Sequence, residues 1–284
     1  MKNTAMKKSS VGSVCKTLFA VFMFFIYMLP FILVLINSFK RKVNIIKYPL
    51  QLIDDKGLQF INYVKAFNEM NFGTAFMNSI IVTGVSTVLI ILFSSMTAYL
   101  FVRTDWLMCK ICFALIIAYL AVPFQVIMIP LVSIYGNAFG VLNSIWTLIF
   151  MNVGFGTGMS IFMCHGFIKT NIPVALEEAA MIDGCNRFQL FFKIVFPLLK
   201  PVISTVTILN VLGLWNDYLL PSLVLGKKEL YTLPLAIRTF YGSFSNDLGK
   251  IMAALLLMVL PVIIVYIFLQ KYIVGGVISG AVKS

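Results

Sequence analysis

Long uncharged apolar stretches alternate along the chain with short segments that hold almost all of its charge. A helix that crosses a membrane requires about 20 apolar residues, at about 1.5 Å of rise each. The pattern therefore predicts an all-α membrane protein. We expect six spanning helices, at about 17–39, 78–100, 111–132, 144–167, 201–221 and 251–270.

The third and fourth predicted helices come from a single apolar stretch. No Asp, Glu, Lys or Arg occurs from Ile111 to Ile168, a length of 58 residues. This length is too great for one spanning helix and too small for three helices with turns. Two helices joined by a tight turn fit it, and turn-forming residues mark the place: Tyr135, Gly136, Asn137 and Gly140.

The spans belong to one transmembrane domain, residues 17–274, and the segments between them are expected in water. These segments are 1–16, 41–77, 169–200, 222–250 and a tail at 275–284. Six spans place both termini on one side of the membrane. That side holds 12 Lys and Arg against 10 on the other, which weakly favours cytoplasmic termini but leaves the orientation open on charge alone.

Composition excludes a soluble globular protein. Of the 284 residues, 61% are hydrophobic and only 11% are charged, and the mean hydropathy is +0.99. A soluble domain has about a quarter of its residues charged. The net charge of +12 lies in short clusters between apolar runs, which indicates membrane anchoring and topology rather than nucleic-acid binding.

Residues that could carry catalysis or use ATP are few. The sequence holds no G-x-x-x-x-G-K-[ST] phosphate loop. Its single histidine, His165, lies near the end of the fourth span, where we favour a structural or subunit-contact role over a proton relay. Cys109 and Cys112 form a lone C-x-x-C pair, interpreted as two small apolar residues at a span end. If this chain moves a solute uphill, another chain must supply the energy.

Residues 171–197 predict a helix, a sharp turn and a second helix in water. Pro173 suits the first turn of a helix and Gly184 its C-terminal end. Asn186 followed by Gln189 resembles a capping box for the second helix. On the first helix, small side chains permit close approach to a surface and acidic ones offer pairing to basic groups: Glu177, Glu178, Ala179 and Ala180.

This segment resembles the E-A-A-x3-G-x9-I-x-L-P loop of ABC importer permeases. The matching residues are Glu178, Ala179, Ala180, Gly184, Ile194 and Pro197, with Phe196 in place of the Leu. Further stretches, at 215–221, 231–236 and 270–284, are similar to the smaller, MalG-type permease subunit of maltose-type carbohydrate importers. The resemblance covers about residues 70–284.

The resemblance implies the type I ABC importer permease fold, with the 173–184 helix as the coupling helix that contacts an ATPase. The residues assigned to that contact are Glu177, Glu178, Ala179, Ala180, Asp183 and Gly184. Loop 169–200, and with it both termini, would be cytoplasmic in a bacterial cell membrane. The tail would also reach the ATPase, through Gly275, Gly276 and Gly280.

The resemblance also implies partners. They are a second, larger, MalF-type permease, two copies of a cytoplasmic ATPase, and an extracytoplasmic sugar-binding protein. ATP and Mg would be bound by the ATPase, so this chain would hold no cofactor or metal and would not be an enzyme. Membrane lipid surrounds the spans, and no nucleic acid is expected.

Sugar contacts require polar and aromatic side chains along a path. The candidates are Asn210, Trp215, Asn216 and Asp217. Asp217 also fits interfacial anchoring, and the two interpretations stay open. Other functions remain as alternatives: an ABC importer for a non-sugar solute, and a membrane-embedded sensor or enzyme. Against the last two, the sequence lacks a sizeable soluble domain and a paired set of catalytic carboxylates or His and Cys ligands.

Overall fold

A computed structural model describes residues 11–241 and 247–281. In that part of the chain the secondary structure is helical, without a β-strand. The first eight helices are α1 (Val11–Ser38), α2 (Lys42–Lys47), α3 (Ile61–Glu69), α4 (Phe72–Arg103), α5 (Leu107–Leu120), α6 (Phe124–Val132), α7 (Ile145–Asn171) and α8 (Val174–Ile182). They are followed by α9 (Arg187–Leu198), α10 (Lys200–Asn216), α11 (Leu219–Val224), α12 (Leu233–Ala236) and α13 (Leu248–Ala281).

Within the part of the chain that the structure describes, three helices are by themselves long and apolar enough to cross a membrane. They are Cys15–Ser38 within α1, Phe72–Arg103 and Ile145–Asn171. These helices cover the stretches predicted at 17–39, 78–100 and 144–167. Two further spans exist only if each of two bent helix pairs counts as one span.

The predicted third span, 111–132, differs from a single helix. α5 ends at Leu120, α6 begins at Phe124, and the two are bent by 100°. Pro123 lies in the break and has no amide hydrogen, so it cannot continue the hydrogen bonding of α5. After α6, the predicted turn residues lie in a π-helical turn, Ser133–Ala138, and in a loop where Gly140 has φ +64°.

The predicted fifth and sixth spans also have different bounds. α9 and α10 meet at a 75° bend, and α10 ends at Asn216 rather than at 221. α11 begins at Leu219, whose amide donates to Asp217 Oδ1 over 2.9 Å. α13 runs from Leu248 to Ala281, so the backbone of the predicted tail is helical as far as 281. Residues 1–10 and 282–284 of the predicted termini lie outside the described residues.

The chain divides into two compact units. The first comprises the residues up to Glu69 and Thr239–Leu257. In it Lys40 is fully buried, and its Nζ donates to Asn37 Oδ1 and to the carbonyls of Tyr48 and Pro49, over 3.0–3.3 Å. Burial lowers the pKa of Lys40, and the charge of Asp54 partly offsets this.

The second unit comprises Met70–Arg238 and the residues from Met258 onward. Its centre is α4, which packs along α7 and also contacts α10. A buried apolar cluster joins these helices to α9, and it includes Ala98, Ile161, Cys164, Ile168, Phe191, Val195 and Val206. The cluster also includes Ile172, so this core lies next to the start of α8.

Candidate functional site

The α8 segment folds as the local sequence predicts. Pro173 precedes α8 in an extended conformation, and Gly184 follows it with φ +87°. Because a left-handed conformation is unfavourable for residues with a Cβ, glycine suits this position. The Cys185 amide then donates to the Ala180 carbonyl over 3.0 Å and closes the helix.

The capping box at the start of α9 is confirmed. The Gln189 amide donates to Asn186 Oδ1 over 2.9 Å, and the Asn186 amide donates to Gln189 Oε1 over 3.0 Å. Beyond it, Leu190–Val195 forms a π-helical stretch within α9. The reciprocal cap fixes the direction in which the chain leaves the turn at 183–186.

Glu177 points into the chain rather than away from it. It is 3% exposed. The Tyr99 hydroxyl donates to its Oε2 over 2.7 Å, and Arg103 Nε donates to its Oε1 over 2.8 Å. Tyr99 and Arg103 lie one turn apart near the end of α4. Both oxygens of the carboxylate are therefore occupied within the chain, which differs from the predicted assignment of Glu177 to an ATPase contact.

Arg103 also contacts the end of α7. Its Nη2 donates to the Ile172 carbonyl over 2.8 Å and lies 2.7 Å from Glu177 Oε1. The last carbonyls of a helix lack partners within the helix, so Arg103 satisfies one of them while it pairs with Glu177. Removing one member of a buried ion pair typically costs about 3–5 kcal/mol.

The opposite side of α8 is exposed among the described residues. Glu178, Ala179, Asp183 and Gly184 are exposed, whereas Ala180 is buried. We define the outer face of α8 as four residues that recur at helical spacing and are all exposed: Val174, Glu178, Met181 and Ile182. Ile182 is 86% exposed. A largely apolar helix face with one central carboxylate has the chemistry of a protein-binding surface.

The four path candidates do not form one surface. Trp215 is buried and its ring centroid lies 6.0 Å from that of Phe76, in an edge-on arrangement. Asn210 donates to Ser160 Oγ over 3.2 Å and so joins α10 to α7. Asp217 is half-buried and caps α11 through Oδ1. Of the four, Asn216 has an exposed side chain, whereas the other three are partly or fully buried. The indole Nε1 of Trp215 has no hydrogen-bond partner among the described residues.

Of the remaining candidates from the sequence, His165 and Cys109 contact neighbouring residues of the chain. The His165 ring stacks on Phe113 with centroids 4.0 Å apart. Cys109 and Cys112 are both free, and the Thr104 hydroxyl donates to Cys109 Sγ over 3.2 Å. Gly275, Gly276 and Gly280 lie in the helical backbone of α13, but their surroundings lie outside the described part of the chain.

Tyr99 and Arg103 are functional candidates that sequence reasoning missed. The available signal was an ionisable pair four residues apart at the end of a spanning helix, which places both side chains on one face. Their partner Glu177 lies 74 residues beyond Arg103 along the chain, and no local pattern connects them.

Comparison with known protein families decides the class. Residues 90–279 match the family model described as "Binding-protein-dependent transport system inner membrane component". The chain belongs to this family. It is therefore an inner-membrane component of a transport system and not an enzyme, as the sequence predicted.

Two curated relatives match nearly the whole chain. The "Probable starch degradation products transport system permease protein AmyC" of Thermoanaerobacterium thermosulfurigenes is 38% identical over 98% of this chain and 100% of its own. The "Melibiose/raffinose/stachyose import permease protein MelC" of Bacillus subtilis (strain 168) is 36% identical over 94% and 96%. The predicted resemblance to carbohydrate importer permeases is thereby confirmed.

The fold is similar to that of a solved structure, "Crystal structure of a bacterial ABC transporter involved in the import of the acidic polysaccharide alginate". The TM-score is 0.77 at 20% sequence identity, over 95% of this chain and 99% of the other. This confirms the ABC importer permease fold that the sequence predicted.

Proposed function

We propose that this chain is the smaller of two permease subunits in an ATP-driven importer of a sugar or an oligosaccharide. The relatives support the substrate class. The name of one of them mentions starch degradation products, and the name of the other mentions melibiose, raffinose and stachyose. In this proposal six spans cross the membrane: α1, α4, the bent pair of α5 and α6, α7, α10 and α13. Loop 169–200, which contains α8 and α9, and both termini are cytoplasmic.

The observation that carries the proposal is the outer face of α8. It is an exposed, largely apolar helix face whose single charge belongs to Glu178. This face belongs to the E-A-A segment of the chain, because Glu178, Ala179 and Ala180 lie in α8. We infer that this face binds the ATPase, and that the ATPase, present in two copies, binds ATP and Mg. Closure of the ATPase dimer would move α8 and switch the spans between two arrangements.

A second permease is supported by α1. Among the described residues, none of the apolar window in Cys15–Ser38 is buried. A helix that is apolar all round needs either lipid or another protein around it. We assign part of this surface to the larger, MalF-type subunit. The path between the two permeases would carry the sugar, with Asn216 as the remaining candidate contact on this chain. An extracytoplasmic binding protein would deliver the sugar.

The proposal is tested by purifying the tagged chain in mild detergent and identifying the co-purifying proteins by mass spectrometry. We expect a second permease and an ATPase. The binding protein encoded beside them is then titrated with oligosaccharides, amino acids and phosphate. Preferential binding of amino acids or phosphate would support the non-sugar importer and contradict the sugar assignment. Purification of the chain without an ATPase would contradict the importer assembly as a whole.

A further inference from the structure

α8 is connected to the spanning helices both through the chain on either side of it and through side-chain contacts with α4. Along the chain, residues 172–173 join it to α7 and residues 183–186 join it to α9. Across space, Glu177 joins it to α4, a helix with no chain connection to α8 that ends about 70 residues earlier. A movement of α8 therefore has a route into α4 that does not pass through a loop.

We propose that Tyr99, Arg103 and Glu177 form a rigid joint that carries movement of α8 directly to α4. The three are positioning residues, since none would contact ATP or sugar. This inference rests on the proposed function, because it takes the outer face of α8 to bind the ATPase.

The contacts of Glu177 account for the rigidity. Its two oxygens accept three hydrogen bonds or ion-pair contacts of 2.7–2.8 Å from two side chains on one face of α4. The guanidinium of Arg103 is planar, so its donors hold a fixed direction. The side chains of Arg103 and Glu177 are only 17% and 4% exposed. Water is therefore largely excluded from both charged groups, and separating them would leave each charge poorly solvated.

An exposed pair in the same unit shows the contrast. Lys110 Nζ lies 3.3 Å from Asp105 Oδ1, and their side chains are 64% and fully exposed. Such a pair exchanges its partner for water at little cost. It cannot transmit a displacement in the way that a buried, multiply bonded pair does.

The joint also includes the neighbours of α8. Arg103 Nη2 holds the Ile172 carbonyl at the end of α7 over 2.8 Å. The Tyr99 ring lies against Phe191 of α9, with centroids 5.5 Å apart. At this end of the unit, α4 thus contacts α8 and both helices that flank it along the chain, α7 and α9.

Further along, the middle of α4 is held by packing rather than by side-chain hydrogen bonds. The hydroxyls of Thr83, Ser86 and Thr87 are buried, and none has a hydrogen-bond partner within the described structure. This stretch packs along α7, and Ile90 in it is fully buried. A displacement that enters α4 at Arg103 would therefore reach the centre of the unit through packed side chains.

The test uses the assembled importer in proteoliposomes, with its ATPase, partner permease and sugar-loaded binding protein. Two variants alter the joint: Tyr99→Phe, and the double change Arg103→Leu with Glu177→Leu. The double change leaves no unpaired buried charge, so it is expected to fold. The matched control is Asp105→Leu with Lys110→Leu. The measured quantities are the ATPase bound per chain and the sugar imported per ATP hydrolysed.

We expect both joint variants to bind the ATPase normally and to import about 2- to 30-fold less sugar per ATP, which corresponds to the coupling changes of about 0.5–2 kcal/mol that mutations along coupling networks cause. The control should keep the wild-type ratio. A merely structural role would lower the yield of complex but leave this ratio unchanged. An unchanged ratio in both joint variants would therefore overturn the proposal.

A further variant separates the joint from the proposed function. Glu178→Lys alters the outer face of α8 and leaves the joint intact, so it is expected to lose the ATPase. Retention of the ATPase and of transport in that variant would contradict the docking surface, whatever the joint variants show. Loss of the ATPase there, with a normal ratio in the joint variants, would overturn only the joint.

Discussion

Glu177 and Glu178 are adjacent in the sequence and lie in opposite surroundings: Glu177 accepts hydrogen bonds from α4, whereas Glu178 is exposed to the outside. An α-helix turns by about 100° per residue, so neighbouring side chains do not share a face. The two acids therefore have separate roles. One fixes α8 to its own chain, and the other remains available to a partner.

Reversing the exposed charge tests the partner role. We expect Glu178→Lys to lower sugar uptake into cells by at least about ten-fold, because a like charge placed against a basic surface costs several kcal/mol. The amount of chain in the membrane should not change. Asp105→Lys is the matched control, since Asp105 is a fully exposed acid outside α8. Normal uptake by the Glu178 variant would contradict the assignment of the outer face.

Gly184 tests the turn after α8. Nothing lies within 4 Å of a Cβ at this position, but its φ of +87° is unfavourable for other residues. We expect Gly184→Ala to destabilise the protein by about 1–2 kcal/mol, and Gly184→Asn to cost less. Thermal unfolding in detergent measures the difference. Gly166→Ala is the control, because that glycine is helical with open space around it; an equal loss there would show that the conformation of Gly184 is not the cause.

Gly156 tests the packing of α7 against α4 and α10. A Cβ there would lie 2.5 Å from Ile90 Cδ1 and 3.0 Å from Asn210 Oδ1. Ile90 is fully buried, so it has little room to move. We expect Gly156→Ala to lower stability by about 1–3 kcal/mol, the usual cost of overpacking. Gly154→Ala, with nothing within 4 Å of the added Cβ, should be neutral or slightly stabilising. Of the two variants, only Gly156→Ala should lower the melting temperature.

Asp54 tests the pH dependence of the first unit. Hydrogen bonds from the Arg41 side chain hold the pKa of Asp54 well below its ordinary value, although burial opposes this. The folded state therefore binds fewer protons than the unfolded state. The stabilisation is complete above the unfolded pKa of about 3.9, and it is lost as the pH falls through the folded pKa.

The measurement is the melting temperature of the protein, in an uncharged detergent, from pH 7 down to pH 2. We expect a fall below about pH 4 in the wild type. Asp54→Asn should melt lower at pH 7 and show a smaller fall in acid. Asp105→Asn makes the same change in net charge at an exposed site and should behave like the wild type. Equal acid sensitivity in the Asp54 variant would show that other groups cause it.

Patterns over short distances predicted the elements of this fold well. The apolar helices α1, α4 and α7 follow from stretches without charge, and the turn between α8 and α9 follows from Gly184 and the Asn186 and Gln189 cap. In each case the determining residues are neighbours in the sequence.

Features that depend on distant partners were not predicted. The pairing of Arg103 with Glu177 and the packing of Trp215 against Phe76 each join residues more than 70 positions apart. A polar residue in a span has the same sequence pattern whether it faces a path or another helix. The bend at 121–123 was missed for another reason: membrane helices also tolerate proline without breaking.

The break between α5 and α6 has a consequence for what surrounds it. Ala121, Val122 and Pro123 are exposed on this chain. The Ala121 and Val122 amides donate to the Ala118 and Tyr119 carbonyls, so the break satisfies part of the end of α5. The first two amides of α6, at 124 and 125, lack partners within the helix. Hydrocarbon cannot supply those hydrogen bonds. If the pair lies within the bilayer, this bend must therefore face water or a polar protein surface, and acyl chains are excluded from it. A hydrated recess at membrane depth is what a hydrophilic solute would need as it crosses the bilayer.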